Sequence, residues 1–305
     1  MRSSAQAHAD ETSWPQSTMA LSRRLRAGLP LAAAAATLAG STAYCASTRP
    51  RALSVSALAK AAERRGLGIA AAFTLQDYHA RVPAELALDA FARPRTLAIL
   101  LGSTREIWPP FLDALERDAA QLEATNPLDD FVVAAAKAVA AECVPDGVRY
   151  ALYYSHELEP GRLVGMQHAA HAAGVSYYHQ GVGLCVHPRY GAFHSLRALL
   201  VVDVDGADSE PVADPCSAAE VAAAEAALEA ALAATADPTA TNSKEELSGS
   251  YKEAWRLWQQ VRKSIQVGRE EWEYSDAEDE YHYTWSKTTL RRMLEERRNG
   301  RAEED

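Results

Sequence analysis

Thr96-Leu97-Ala98-Ile99-Leu100-Leu101-Gly102 is the stretch on which the fold turns, because after Thr96 every residue up to the closing glycine is apolar. A half-exposed strand alternates in polarity, whereas one buried on both faces reads as a continuous apolar run, so this segment is expected to be a central strand. Ser195 to Val204 is a second run of the same character. Working outward, Leu67 to Thr74 and Ser176 to Gln180 also read as strands, as does Tyr150 to Tyr154 after the Pro145-Asp146-Gly147 turn.

Helices are expected between these strands. Ser54 to Arg65 has helical spacing and stops at Gly66, a residue suited to the left-handed C′ position. Ser103 or Thr104 can cap a helix that tolerates Pro109 and Pro110 in its opening turn and runs to about Glu123, and Asn126 can cap another from Pro127 to about Glu142. Arg162 to Ala173 reads as helical up to Gly174. Together these elements predict an α+β or α/β domain over residues 53–206.

Beyond it, Ser217-Ala218-Ala219-Glu220 is a capping-box pattern ahead of an Ala-rich helix to about Ala234, with a Thr/Pro/Ser-rich linker over 235–250. Residues 207–250 are therefore expected to be helix and linker. Residues 251–299 should form a helical C-terminal segment: Tyr251 to about Val267 carries Trp255, Trp258 and Val261 at turn spacing, and Ser286 to about Arg298 carries Leu290, Met293 and Leu294. Residues 300–305 read as a tail.

Residues 1–50 are Ala/Ser/Thr-rich, with Arg23, Arg24 and Arg26 ahead of the apolar run Leu29 to Leu38. That run falls short of the roughly 20 apolar residues a membrane-spanning helix needs. Two readings stay open, a targeting segment for organelle import and a disordered extension; Asp10 and Glu11 sit badly with the acid-poor composition of transit peptides.

With 305 residues, 48% of them hydrophobic and 24% charged, the chain has the balance of a folded globular protein. Its 31 basic against 41 acidic residues disfavour a sequence-independent grip on nucleic acid. Cys45, Cys143, Cys185 and Cys216 are scattered without a C-x-x-C pair, which suits a reducing, cytoplasmic setting. Neither G-x-G-x-x-G nor a Walker A loop occurs, and no nucleophilic triad can be read from spacing.

The histidines are uneven. His156, His168, His171, His179, His187 and His194 fall in one stretch. His168 and His171, at i, i+3, share a helical face, and Cys185 and His187 could add metal ligands. No Glu stands between the histidines as in H-E-x-x-H, which favours a polar pocket over a metal-dependent hydrolase. Gly174 to Gln180, followed by Gly183 to Gly191, are polar-aromatic segments joined through glycines. They read equally as an ordinary hairpin or as a surface offered to a large flat ligand.

At this stretch the chain resembles the methylmalonic aciduria and homocystinuria type C family of cobalamin-processing proteins. The resemblance rests on Gln167-His168-Ala169-Ala170-His171-Ala172-Ala173-Gly174, then Tyr177-Tyr178-His179-Gln180, then Gly183-Leu184-Cys185-Val186-His187-Pro188-Arg189-Tyr190-Gly191, then Arg197 at the head of an apolar strand. Leu97 to Thr104, Asn126 to Asp130, Tyr274-Ser275 and the helix around Arg292 are also similar to family segments. The resemblance covers roughly residues 55–205 well and 250–295 loosely.

It implies a nitroreductase-like α+β fold, with a mixed sheet flanked by helices, that binds cobalamin base-off and removes its upper axial ligand. Decyanation would draw electrons from a reduced flavin, FAD or FMN, and alkyl groups would pass to glutathione, with the cofactor chemistry doing the difficult step. Carried over by position, Val164, Gly165, Met166, Gln167, Tyr178, His179, Gln180, Cys185 and Leu196 would line the corrin pocket, with His171 close by. Arg197, Arg262 and Arg292 would hold the carboxylates of glutathione, a task suited to a planar guanidinium. The implied partners are these two small molecules and a downstream cobalamin-trafficking protein, for a monomer or a ligand-induced homodimer. A non-catalytic cobalamin escort is the alternative.

The chain departs from the family at three places. Gly181 and Val182 nearly close a hairpin loop that is usually longer, Tyr153 stands at a pocket position where relatives tend to be acidic, and His179 stands where they typically have tyrosine. These bear on substrate range and thiol use more than on corrin binding.

Overall fold

The structure is a computed structural model that describes residues 53–235 and 253–304. The extension over 1–50, most of the linker over 235–250 and Tyr251 at the expected start of a helix lie outside the described residues.

Four strands form the main sheet: β1 (Ile69–Thr74), β2 (Thr96–Ser103), β3 (Tyr150–Tyr154) and β6 (Ser195–Asp205), in the order β1-β2-β6-β3. All eight residues of β2 are buried, as its unbroken apolar run requires. The class is the expected α+β, but every pairing in this sheet is antiparallel rather than mixed. The reason is topological. β2 and β3 run the same way, joined by a helical crossover, yet β6 inserts between them and is antiparallel to both.

Alternation on the central strands divides the core. Leu97, Ile99 and Leu101 of β2, with Ala198, Leu200 and Val202 of β6, face α1 (Val55–Glu63), α3 (Trp108–Arg117) and α4 (Pro127–Cys143). Ala98, Leu100, Leu199 and Val201 face α2 (Leu75–His79) and α5 (Met166–Ala172). Each fully buried Leu, Ile, Val or Phe contributes about 1.5–3 kcal/mol, so the two layers are the main source of stability.

Past a two-stranded hairpin, β4 (Tyr177–His179) and β5 (Leu184–Val186), the Ala-rich α6 (Ala218–Thr235) packs against α7 (Trp255–Lys263). Helices α8 (Arg269–Trp272), α9 (Asp276–Thr284) and α10 (Lys287–Glu304) follow. Tyr281, Leu290, Met293 and Leu294 enter the α4 layer, where Tyr281 meets Trp108 edge-on with ring centroids 5.8 Å apart. The C-terminal helices therefore complete the core of the sheet. Among the described residues no helix is long and apolar enough to cross a membrane.

Several expected boundaries move. The helix expected up to Glu123 ends at Arg117, because the Asp118 side chain accepts from Ala120 N and restarts the chain as a 3-10 turn. The helix expected from Arg162 begins at Met166, since the Arg162 guanidinium is held by Glu157 and the Leu152 carbonyl in the preceding turn. Asn126 occupies the N-cap of α4 without a side-chain bond. The tail expected at 300–305 continues α10 through Glu304, because the Arg, Ala and Glu that follow Gly300 favour helix. α9, which was not anticipated, starts at a capping box in which the Ser275 hydroxyl accepts from Glu278 N and the Glu278 carboxylate accepts from Ser275 N.

One irregularity sets the direction of Arg197. Leu101 pairs with Ala198 and Gly102 with Leu196, so Arg197 is the extra residue of a β-bulge. A bulge re-aims the side chain it carries. Gly102 permits it: a Cβ there would lie 2.9 Å from the Ser195 carbonyl oxygen.

Candidate functional site

The β4–β5 hairpin stands over α5 and encloses a cavity of about 540 Å³. One turn of α5 presents His168 and His171 to it; Tyr178, His179 and Gln180 supply the facing wall, and Val221 and Glu225 of α6 close one side. Tyr178 N donates to His171 Nδ1 at 3.3 Å, and the His168 ring meets Tyr178 edge-on at 5.1 Å. Burial holds the His168 imidazole below its ordinary pKa, assisted by His171 and Arg81. Imidazole and phenol rings dominate its lining, with Arg81 and Glu225 as its charged groups.

The structure divides the residues expected to line the pocket. His171, Tyr178, His179 and Gln180 border the cavity itself. Val164, Met166, Cys185 and Tyr153 are buried in the apolar layer beneath, and Leu196 packs on it. Gly165 N donates to the buried Tyr78 hydroxyl at 3.0 Å, fixing the entry into α5. The Cys185 thiol donates to the Gln167 carbonyl at 3.7 Å, and burial in the apolar layer pushes its pKa up to about 12, which disfavours the thiolate. The Arg162 guanidinium covers the Tyr153 ring at 4.7 Å.

A second polar region surrounds Arg197. Its Nε donates to Ser103 Oγ at 3.0 Å, the residue is only 7% exposed, and its Nη2 is buried without a hydrogen-bond partner. Arg262, 8% exposed, donates from Nε to the Ala192 carbonyl at 3.0 Å and lies 3.6 Å from Asp279, with its guanidinium 4.9 Å over the Tyr274 ring. His282 and His194 lie among these groups, both held neutral by burial, His194 with its pKa lowered to about 3. His194 Nδ1 donates to the Gly191 carbonyl at 3.0 Å and its Nε2 is 2.9 Å from Ser176 Oγ. Asp279 faces Arg262 and the Asp129 charge also acts on Arg197, so each guanidinium has a carboxylate in its surroundings, while Arg197 Nη2 remains a buried donor without a hydrogen-bond partner.

Arg292 does not join them. It is exposed on α10 and pairs with Glu280 at 2.7 Å and Glu296 at 3.8 Å. The candidate ligands His168, His171, Cys185 and His187 do not converge either. His187 Nδ1 accepts from Arg189 N and Tyr190 N within its own turn. Among the described residues, the ligand-type side chains that do converge are His179, Asp214 and Cys216. Sequence reasoning missed Asp214, Asp279, Tyr274 as a lid on Arg262, and His282. A capping-box search at Ser275 would have found α9, which carries Asp279 and His282.

Residues 68–230 match the sequence profile of the methylmalonic aciduria and homocystinuria type C family. Among solved structures, the chain is similar to the C. elegans B12-trafficking protein CblC, a homologue of human MMACHC. Identity is 16% and the TM-score 0.56, over 77% of this chain and 95% of that one. An epoxyqueuosine reductase from Streptococcus thermophilus is similar at 11% identity and a TM-score of 0.41, over 78% of this chain and 79% of that one. A second, from Bacillus subtilis, is similar at 12% and 0.35, over 57% and 52%. No curated protein matches. The nematode structure shares the fold.

Proposed function

Because the chain belongs to the methylmalonic aciduria and homocystinuria type C family, we propose that it is a cobalamin-processing enzyme that binds cobalamin base-off at the hairpin cavity and removes its upper axial ligand. What supports this reading is the aromatic cavity walled by α5 and the β4–β5 hairpin, together with the buried Arg197 guanidinium, whose Nη2 has no hydrogen-bond partner. Tyr178, His179, Gln180 and His171 would meet the corrin from one side, on a floor of Val164, Met166 and Cys185, with Gly165, Gln167 and Leu196 at its margin and Tyr153 deeper in that layer. Arg197 and Arg262 would receive the carboxylates of glutathione. Arg292, held in surface ion pairs, would serve only after releasing Glu280.

In dealkylation the thiolate attacks the alkyl carbon, the cobalt–carbon bond breaks with its electron pair left on cobalt, and a thioether departs. Two buried positive charges favour an anionic thiol and hold it from its carboxylate end, which is a positioning effect. In decyanation a reduced flavin supplies the electrons and cyanide leaves. We assign no residue to the flavin: among the described residues lining the cavity, Arg81 is the only guanidinium, and the buried guanidiniums are committed to the thiol.

Absorbance titration of the full chain with cyanocobalamin tests the first half, and addition of reduced flavin, or of glutathione to methylcobalamin, tests the second. Uptake followed by spectral conversion supports the enzyme. Uptake without conversion would leave a non-catalytic escort, and no uptake would overturn both.

A further inference from the structure

We propose that His179, Asp214 and Cys216 form a binding site for a divalent ion of the zinc class, with water completing its coordination. This is independent of the corrin reading, although His179 also borders the cavity.

The three ligand atoms lie within 4.8 Å of one another. His179 Nε2 is 3.0 Å from Asp214 Oδ1. Tetrahedral zinc, with bonds of about 2.0–2.3 Å, holds its ligand atoms roughly 3.3–3.6 Å apart. The imidazole and carboxylate are thus already close to that spacing, and the sulfur needs to move by about 1 Å, within reach of a χ1 adjustment. An imidazole, a carboxylate and a thiol make a mixed donor set that suits zinc and excludes magnesium and calcium, which take oxygen.

The surroundings support a cation. Asp214-Pro215-Cys216 brings two ligands together across a residue of fixed φ, and Cys216 N donates to Asp214 Oδ1 at 2.9 Å, which orients the carboxylate. Glu220 is engaged, accepting from the Ser217 hydroxyl and from Gln266 N, and remains an outer charge. The His179 ring is 10% exposed and Asp214 38%, which leaves one side open to water. Binding would displace the protons of the thiol and of His179 Nε2, with no change of oxidation state. It would also tie β4 to the segment that leads into α6, and β4 and α6 both wall the cavity.

The test is zinc content of the full chain, purified free of corrinoid, equilibrated with Zn2+ and desalted. Wild type is expected to keep about one zinc per chain, and Cys216→Ser and Asp214→Asn each to lose it. Co2+ in place of zinc should give a sulfur-to-metal charge-transfer band that Cys216→Ser removes. A measurement needing no variant is alkylation of Cys216 by iodoacetamide, followed by mass spectrometry, which zinc should slow at least about tenfold. Wild type without stoichiometric zinc, zinc content unmoved by both substitutions, or Cys216 alkylation indifferent to zinc would each overturn the site.

Discussion

Leu196 and Arg197 are neighbours on β6, yet they serve regions of opposite chemistry. Leu196 packs on the apolar layer under an open cavity lined by rings and amides. Arg197 turns at the bulge into a buried pocket that holds a second guanidinium, histidines kept neutral by burial and the Asp279 carboxylate, with the Asp129 charge also acting on it. The first region has room and little charge, which suits a large ligand recognised by shape and stacking. The second has charge and little room, which suits the anionic end of a small one. The lesson is that a one-residue bulge turns adjacent positions on a single strand toward two regions of different chemistry.

The comparison can be broken most forcefully through the histidines of the arginine pocket. For His194 the sign is set by its depressed pKa: the unfolded imidazole takes a proton below its ordinary 6.5, whereas the folded one stays neutral down to about 3. Its contribution is complete above pH 6.5 and is lost as pH falls through that window, by about 1.4 kcal/mol per pH unit. Urea unfolding at pH 7.0, 5.5 and 4.5 should show stability dropping, and His194→Gln should flatten the slope. A slope unchanged in that variant would mean the pocket histidine is not held neutral.

Asp279→Ala leaves the buried Arg262 charge uncompensated and should cost about 3–5 kcal/mol of stability, seen as a fall in the urea midpoint, while a cavity substitution such as His168→Ala costs far less. Arg197→Ala removes a charged hydrogen-bond donor worth about 1.5–3 kcal/mol, so thiol-dependent dealkylation should fall about 10- to 100-fold with cyanocobalamin affinity nearly unchanged. Affinity falling in step with activity would merge the two regions into one. Tyr178→Ala is expected to do the reverse, weakening cyanocobalamin uptake about 2- to 10-fold through lost ring contact worth about 0.5–1.5 kcal/mol, read by absorbance titration. The smallest effect is Arg292→Ala, whose exposed ion pairs are worth about 0–1 kcal/mol; stability and dealkylation should barely move. A large loss of dealkylation would place Arg292 in the anion pocket after all.

Much of the fold is legible locally. β2 and β6 announce themselves as apolar runs because both of their faces are covered, and α1 and α4 follow from spacing and turn residues. The site is legible only in part. The Gln167 to Gly191 motifs mark the hairpin and its helix, and His171, Tyr178, His179 and Gln180 of those motifs border one cavity. The same motifs say nothing of Asp214, which reaches His179 across 35 positions, or of Asp279 against Arg262. Such contacts are made by chain returns that leave no periodic trace.

The sequence by itself determined the α+β class, the buried central strands and the family, because apolar periodicity and ordered motifs are local properties of the chain. The tertiary structure decided three things: that β6 inserts between two like-directed strands, that Arg197 is the bulged residue and shares a buried pocket with Arg262, and that Arg292 stays at the surface. Strand order, bulge register and burial depend on which distant segments meet, and the free energy that selects them is the sum of those long-range contacts.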